Sequence, residues 1–543
     1  YLRAQQRQDT HWVGDLSSSA LATAMSMVAL QVVDGRGYHD RIHRGRAWLL
    51  ATQQQDGGWG DAMIDASNIN STSLALTALR FTGRGVLNAE EQQALARAQR
   101  CLDGFGGWAA VGDPARCTMS GPCRTVAAIA GIMDPKRIKH LRPEVILLPR
   151  RLRRTISVTF PAYLTLSTLH TTMASHPLNV LPTYRRALTA AESWLAKAQG
   201  PDGSFEESAF LTSILIMALT SAGRGNLPWL PAAIQYVVRN QRADGAWPID
   251  RDLENFDTAM TVFAFKEAGL AVPQAERVRA WLVERQFTEP FFPTGAPAGG
   301  WAWARPDGWP DCDDTAYALL ALRRLDLPAS APAIRRGVRW LEWMQNGDGA
   351  WPTFVRNSKL PFDHSCPYIT GHVLAALQAA GRLRERPRLL DRALVFLAGA
   401  QRYDGSFSSI WFRETVTGTA SVLEAMADCA LLHTPVATGA RAALLLHQND
   451  DGGWGGIRRL QASTAEETAV AIMALLRCPP DDAIRQAVTR GVDWLIGHQQ
   501  PDGTWAPYPI ALYMSALWYS NTSYALTLPM QALARAQAVY ARA

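Results

Sequence analysis

The 543-residue chain has seven cysteines, at positions 101, 117, 123, 312, 366, 429 and 478, an odd and scattered set with no Cys-x-x-Cys pair. That excludes a disulfide framework, gives no cysteine zinc site and suits a reducing, cytoplasmic compartment. Charged residues are scarce at 19% against 48% hydrophobic, which excludes disorder and leaves enough apolar side chain to line a cavity as well as a core. Long apolar runs are missing too. The longest uncharged stretches, Thr155 to Tyr184 and Gly503 to Ala534, carry too many Ser, Thr, Asn and Pro to span a bilayer. The opening Tyr1 to Trp12 is polar and charged, unlike a secretory signal. A soluble or peripherally membrane-bound protein, monomer or homodimer, is expected.

The formal charge of +6 comes mostly from arginine. Such a charge fits nucleic acid, an anionic membrane surface or an anionic substrate equally well. The basic residues are dispersed apart from Lys136-Arg-Ile-Lys139 and Arg150-Arg151-Leu-Arg153-Arg154, and no recognition motif accompanies them, so nucleic acid is not an expected partner.

What the chain does have is an internal repeat. Gln-x-x-Asp-Gly-x-Trp/Phe occurs seven times, at Gln53–Trp59, Gln199–Phe205, Gln241–Trp247, Gln345–Trp351, Gln401–Phe407, Gln448–Trp454 and Gln499–Trp505, with a degenerate copy at Gln6–Trp12. The spacing corresponds to a unit of about fifty residues. Apolar residues at helical spacing precede each copy, as in Gly491-Val-Asp-Trp-Leu-Ile, and a second run follows, as in Thr468-Ala-Val-Ala-Ile-Met-Ala-Leu. Each unit therefore reads helix, Asp-Gly turn, helix. The predicted fold is all-α, an array of helix pairs that stacks into a solenoid or closes into α/α barrels. Gln would end the first helix and the aromatic ring would stack on its amide, stapling neighbouring pairs; this is architecture and carries no chemistry.

One unit has surplus acid. A single carboxylate before Thr-Ala, as in Asp257-Thr-Ala and Glu467-Thr-Ala, is explained by helix capping. Pro310-Asp311-Cys312-Asp313-Asp314-Thr315-Ala316 adds two more, and three carboxylates within four residues repel unless a proton is shared. An exposed acidic turn is one reading. The other draws on Trp301, Trp303 and Trp309 just upstream: an acid held protonated beside aromatic faces suits proton delivery to an alkene, with π faces steadying the cations that follow. The order lacks the glycine and terminal glutamate of a calcium loop.

The repeated motifs together with Asp311-Cys-Asp313-Asp314-Thr-Ala resemble those of the class II terpene cyclases, best known from the squalene-hopene cyclases, and the resemblance runs through essentially the whole chain. It implies two α/α barrels: a catalytic one of residues 1–14 plus 256–543, and a second, 15–255, inserted into it. It also implies that Asp313 is the general acid, supported by Asp311, Asp314 and His372, and that Phe256, Trp303, Phe354, Trp411 and Tyr513 line the substrate cavity. The implied activity is protonation-initiated cyclisation of a linear isoprenoid.

Departures from the family refine this. Tyr368 stands where squalene cyclases have an acidic residue one turn before the histidine, and Pro509, Leu517 and Ser520 replace aromatics near later-formed rings, which points to a shorter, two-ring cascade. The segment from His176-Pro177 to Arg186 is short where the family bears a membrane-dipping helix. A farnesyl or geranylgeranyl diphosphate would be held by Arg150, Arg151, Arg153 and Arg154, with Mg²⁺ at Asp56 and Asp61 of the Gln53–Asp61 turn, which is similar to a turn of copalyl diphosphate synthases. Squalene or another neutral polyprene would need no metal, and the arginines would then be a solvated or membrane-facing patch. A helical-repeat scaffold or a prenyltransferase-subunit-like toroid shares the fold, but lacks a use for the surplus aspartates.

Overall fold

The computed structural model describes residues 2–62, 64–83, 87–138, 141–149, 158–173, 181–304, 308–458, 460–514 and 517–541. Arg150, Arg151, Arg153, Arg154 and His176-Pro177 lie outside them. The described residues are helical, apart from two short antiparallel ribbons: Ser18–Ser19 with Trp247–Pro248, and Ala511–Tyr513 with Leu517–Tyr519.

The helices form two closed double rings. In one, Ala20–Asp34, Ile69–Thr82, Ser120–Ile129, Phe160–Met173 and Ala209–Ser221 contact one another in that order and return to the first. In the other, the inner ring is Glu254–Glu267, Cys312–Arg324, Pro367–Ala379, Val416–Asp428, Ala465–Leu475 and Thr522–Tyr540, the last packing back on the first. The chain is thus two α/α barrels, as the family resemblance implied, and not the open solenoid that the repeat also allowed. Inner and outer helices differ as burial demands. Ala209–Ser221 is apolar around its whole circumference and buried, whereas the outer Pro332–Met344 buries one stripe and exposes arginines. Inner-helix hydroxyls, such as Thr77 and Thr261, bond carbonyls one turn back, so small polar groups cost little inside the ring.

The repeat motif is the joint. Gln345 Nε2 donates to Gly349 O at 2.8 Å, closing the turn, and to Leu389 O of the next outer helix at 3.0 Å. Gln53, Gln199, Gln241, Gln401 and Gln448 bridge in the same way. The staple is therefore a pair of amide hydrogen bonds. The tryptophan indole instead donates back to its own outer helix, as Trp351 Nε1 does to Leu341 O at 2.7 Å, and its backbone N–H donates to a threonine of the following inner helix. Gly349 has φ 99°, and a Cβ there would lie 2.3 Å from Arg392 O, so the turn admits glycine alone.

A further unit lacks the spacing of the motif. Gln286 Nε2 bonds Gly299 O and Ala333 O, both at 2.9 Å, and Trp301 Nε1 bonds Leu282 O, but a long insertion separates the glutamine from its glycine. The degenerate first copy joins the second ring: Trp12 N donates to Thr258 Oγ1 at 3.1 Å, and Asp257 accepts from Gly14 N at 2.7 Å and Asn521 Nδ2 at 2.9 Å. The Gln241 copy joins the first ring, Trp247 N donating to Thr23 Oγ1.

Candidate active site

The acid motif opens the inner helix Cys312–Arg324. Asp311 is its N-cap and accepts from Asp314 N at 2.8 Å, and its own N–H donates to Trp301 O at 3.0 Å, so the inserted Gly-Gly-Trp loop fixes the helix start. Asp313 falls in the first turn, where exposed N–H groups favour negative charge. On the neighbouring inner helix Pro367–Ala379, His372 Nδ1 lies 2.7 Å from Asp313 Oδ1. Tyr317, one turn after Asp313, places its hydroxyl 3.4 Å from His372 Nε2. Tyr368 sets its ring edge-on to the imidazole at 4.3 Å, replacing the expected second acid by an aromatic wall.

Asp311, Asp313 and Asp314 are all more than nine-tenths buried. Burial pushes Asp311 and Asp314 well above the usual carboxylate range, the like charge of Asp313 raises both, and Asp311 raises Asp314 further. Among the described residues, Asp311 Oδ2 and Asp314 Oδ1 have no hydrogen-bond partner. The three carboxyls face one cavity whose other walls are mostly apolar and aromatic side chains.

The five cavity residues expected from sequence all line this space. Trp303 and Phe354 meet edge to face at 5.8 Å, and Phe354 and Trp411 do so at 5.8 Å. Buried Asp363 fixes Phe354 by accepting its backbone N–H at 2.6 Å, and Trp411 Nε1 donates to Thr353 Oγ1 at 2.8 Å, whose carbonyl accepts from Cys312 N. The aromatic wall is thereby tied to the aspartate loop. Phe256 packs on Tyr317 at 4.4 Å and on Tyr524 at 5.7 Å. Phe412, Tyr519 and Tyr524 also line the cavity and sit outside any motif; the signal for Tyr519 and Tyr524 is the aromatic density of the uncharged 503–534 stretch, and that for Phe412 is its place beside Trp411.

The magnesium assignment does not fit. Asp61 is 1% exposed; its oxygens accept from Asn68 Nδ2 at 3.0 Å, Ser71 Oγ at 2.5 Å and Trp518 N at 3.1 Å, and burial raises its pKa. Asp56 Oδ1 serves its own turn, accepting from Gly58 N and Ser67 Oγ. Asp61 is a structural acceptor between the rings, and among the described residues no group of three or more His, Cys, Asp and Glu is arranged to hold a metal ion.

The sequence model of the squalene-hopene cyclase C-terminal domain matches residues 254–538, and that of the squalene-hopene cyclase N-terminal domain matches residues 1–183. The chain belongs to the squalene-hopene cyclase family. This cyclase is 25% identical to the squalene-hopene cyclase of Alicyclobacillus acidocaldarius over 98% of its own length and 96% of that protein. It is 27% identical to the drimenyl diphosphate synthase of Streptomyces showdoensis over 64% of its length and 63% of that protein. Its fold matches the ent-copalyl diphosphate synthase from Streptomyces platensis with a TM-score of 0.62 at 19% identity, covering 96% of each chain. The cyclase is an isomerase of the class II terpene cyclase type. Among its described residues no helix is long and apolar enough to cross a membrane.

Proposed function

We propose that the cyclase converts a linear prenyl diphosphate, farnesyl or geranylgeranyl diphosphate, to a bicyclic drimane- or labdane-type product, with Asp313 as the acid. The observation that supports this most is the 2.7 Å contact of His372 with Asp313 at the wall of an aromatic cavity. Asp313 delivers its proton to the terminal alkene; the carboxylate left behind is steadied by the helix N-terminus and by His372 Nδ1–H donating to Oδ1. Asp311 and Asp314, kept neutral by burial, spare Asp313 two adjacent negative charges. Cyclisation then moves positive charge past Trp303, Phe354 and Trp411, whose faces attract it. We assign the catalytic unit to residues 1–14 plus 256–543 and the inserted unit to 15–255.

The diphosphate is supported by the chain order: Val158 lines the cavity, and Arg154 precedes it by four residues in the sequence, closing the Arg150–Arg154 cluster. Those arginines would bind the anion, and any accompanying Mg²⁺ would be held by the diphosphate itself, not by Asp56 and Asp61.

A neutral polyprene is the second reading. Among the described residues lining the cavity, the ionisable carboxyls are Asp250, Asp311, Asp313 and Asp314, and no Lys or Arg is there to attract an anion. Incubation with farnesyl diphosphate, geranylgeranyl diphosphate and squalene, each with and without Mg²⁺, followed by mass spectrometry, decides between them. Cyclisation of squalene alone would refute the diphosphate.

A further inference from the structure

A histidine can donate to Asp313 through Nδ1 only if that nitrogen carries a proton. While the imidazole is neutral it has one N–H, and the bond made by the other nitrogen decides which nitrogen holds it. Among the described residues each ring nitrogen of His372 has one side-chain partner: Asp313 Oδ1 at 2.7 Å on Nδ1 and the Tyr317 hydroxyl at 3.4 Å on Nε2. Both partners come from the helix Cys312–Arg324, four residues apart and so on one face, and they bracket a ring presented by the neighbouring helix Pro367–Ala379.

Tyr317 is held in this place by its ring. Phe256 packs on it at 4.4 Å and Phe263 at 5.4 Å, and it meets the imidazole edge to face at 4.7 Å. Burial, and then the charge of Asp313, pushes its phenol well above the ordinary value, so it stays a donor. The Tyr368 hydroxyl bonds the Tyr317 oxygen, leaving the Tyr317 proton to point at Nε2.

We propose that Tyr317 is a positioning residue: its hydroxyl donates to His372 Nε2 and thereby keeps the proton of the neutral ring on Nδ1, facing Asp313. This rests on the reading of Asp313 as the acid. With the proton on Nδ1, Asp313 Oδ1 accepts and the acid proton is left on Oδ2 for the alkene. With the proton on Nε2, which a free histidine ring prefers, the Nδ1 lone pair faces Asp313 and draws the acid proton to itself. The donor then becomes a trap. Once the ring takes up a second proton both nitrogens donate, and Tyr317 no longer matters.

The test is therefore the ratio of wild-type to Tyr317→Phe turnover across pH, using whichever polyprene the wild type cyclises. The titratable and charged groups around the ring are Asp313, Tyr317 and Arg324 on one neighbouring helix, Tyr368 on its own, Glu424 and Asp428 on Val416–Asp428, and Tyr524 and Arg535 on Thr522–Tyr540. Both proteins share all of them except the phenol, so the ratio isolates the ring. On the alkaline limb kcat is expected to fall about tenfold or more with KM little changed, the range for losing a group that holds a histidine's second nitrogen. On the acid limb the ratio should approach one. In a His372→Phe background the same change should cost less than about twofold. A loss uniform across pH, or an equal loss without His372, would make Tyr317 a packing element and overturn the proposal. Should Tyr317→Phe not fold, nitrogen-15 spectra of wild type labelled in its histidine rings decide, the His372 signals being those missing from His372→Phe. A neutral ring with its proton on Nδ1 is expected, and one with its proton on Nε2 overturns the proposal. Turnover by Asp313→Asn would refute the acid assignment and this proposal with it, whereas an inactive Asp313→Asn beside a flat ratio refutes the role of Tyr317 alone.

Discussion

His372 Nδ1 and Asp313 Oδ1 stand 2.7 Å apart across the seam between two neighbouring inner helices, so the hydrogen bond to the proposed acid depends on how those helices pack. Asp313→Asn keeps the shape and removes the proton. Turnover is expected to fall by at least about 10²-fold, the lower end for losing a general acid, with the thermal midpoint nearly unchanged. Activity within about tenfold of wild type, measured by product mass spectrometry, would refute the role.

His372→Phe leaves the helices in place and withdraws the ring N–H from the departing carboxylate. A drop in kcat of roughly ten- to a hundredfold with a smaller change in KM is expected, the worth of one charge-assisted hydrogen bond at about 1.5–3 kcal/mol. A change confined to KM would point to a packing role.

Trp411 faces the cavity with its ring and holds Thr353 with its indole N–H. Trp411→Leu should lower kcat/KM by roughly five- to thirtyfold, the value of a desolvated cation–π contact of about 1–2 kcal/mol, and raise the share of incompletely cyclised product. Unchanged product proportions would remove Trp411 from the cation path.

If a diphosphate is the substrate, single replacement of Arg150, Arg151, Arg153 and Arg154 by Ala should raise KM about ten- to a hundredfold for at least one position, and EDTA should slow the reaction. Wild-type behaviour of all four, with no effect of EDTA, would leave a neutral polyprene as the substrate.

Glu466 is fully buried, and burial lifts its pKa from 4.5 to about 7, the Tyr508 N–H and Arg413 opposing the rise. The unfolded chain ionises it near 4.5 and the folded chain near 7, so its contribution to stability is whole below about 4.5 and is lost as pH rises towards 7, at no more than about 1.4 kcal/mol per pH unit. Glu466→Gln, which keeps the acceptor for Tyr508 N, should therefore match wild type near pH 4.5 and exceed it at pH 8 in thermal unfolding. Equal midpoints at pH 8 would show that folding does not raise the pKa of this carboxyl.

The parts of the site legible in the sequence are those that a short stretch must carry whole. Three aspartates in four residues, and the glutamine-to-tryptophan joint, keep their spacing because one helix start or one turn enforces it. Unit Gln286–Trp301 was hidden because its insertion leaves the two hydrogen bonds intact while destroying the spacing. Asp250 reads as an ordinary loop acid until the fold brings it to the cavity wall, and Phe412 and Tyr524 join that wall through ring closure, which no local pattern encodes. Asp56 and Asp61 failed for the converse reason: adjacency in a motif says nothing of which way each carboxylate turns.

Asp257 clamps Gly14 on one side and Asn521 on the other, and the inner ring closes by seating Thr522–Tyr540 against Glu254–Glu267. During synthesis the first half of that joint leaves the ribosome more than two hundred and fifty residues before the second. Until the last stretch is made, the acid loop, its histidine and the aromatic wall lack the helix Thr522–Tyr540, so the inner ring is complete only after Tyr524 and its helix have emerged. A chain cut just before Asn521 would keep every aspartate of the acid motif and still have no chamber in which to use them.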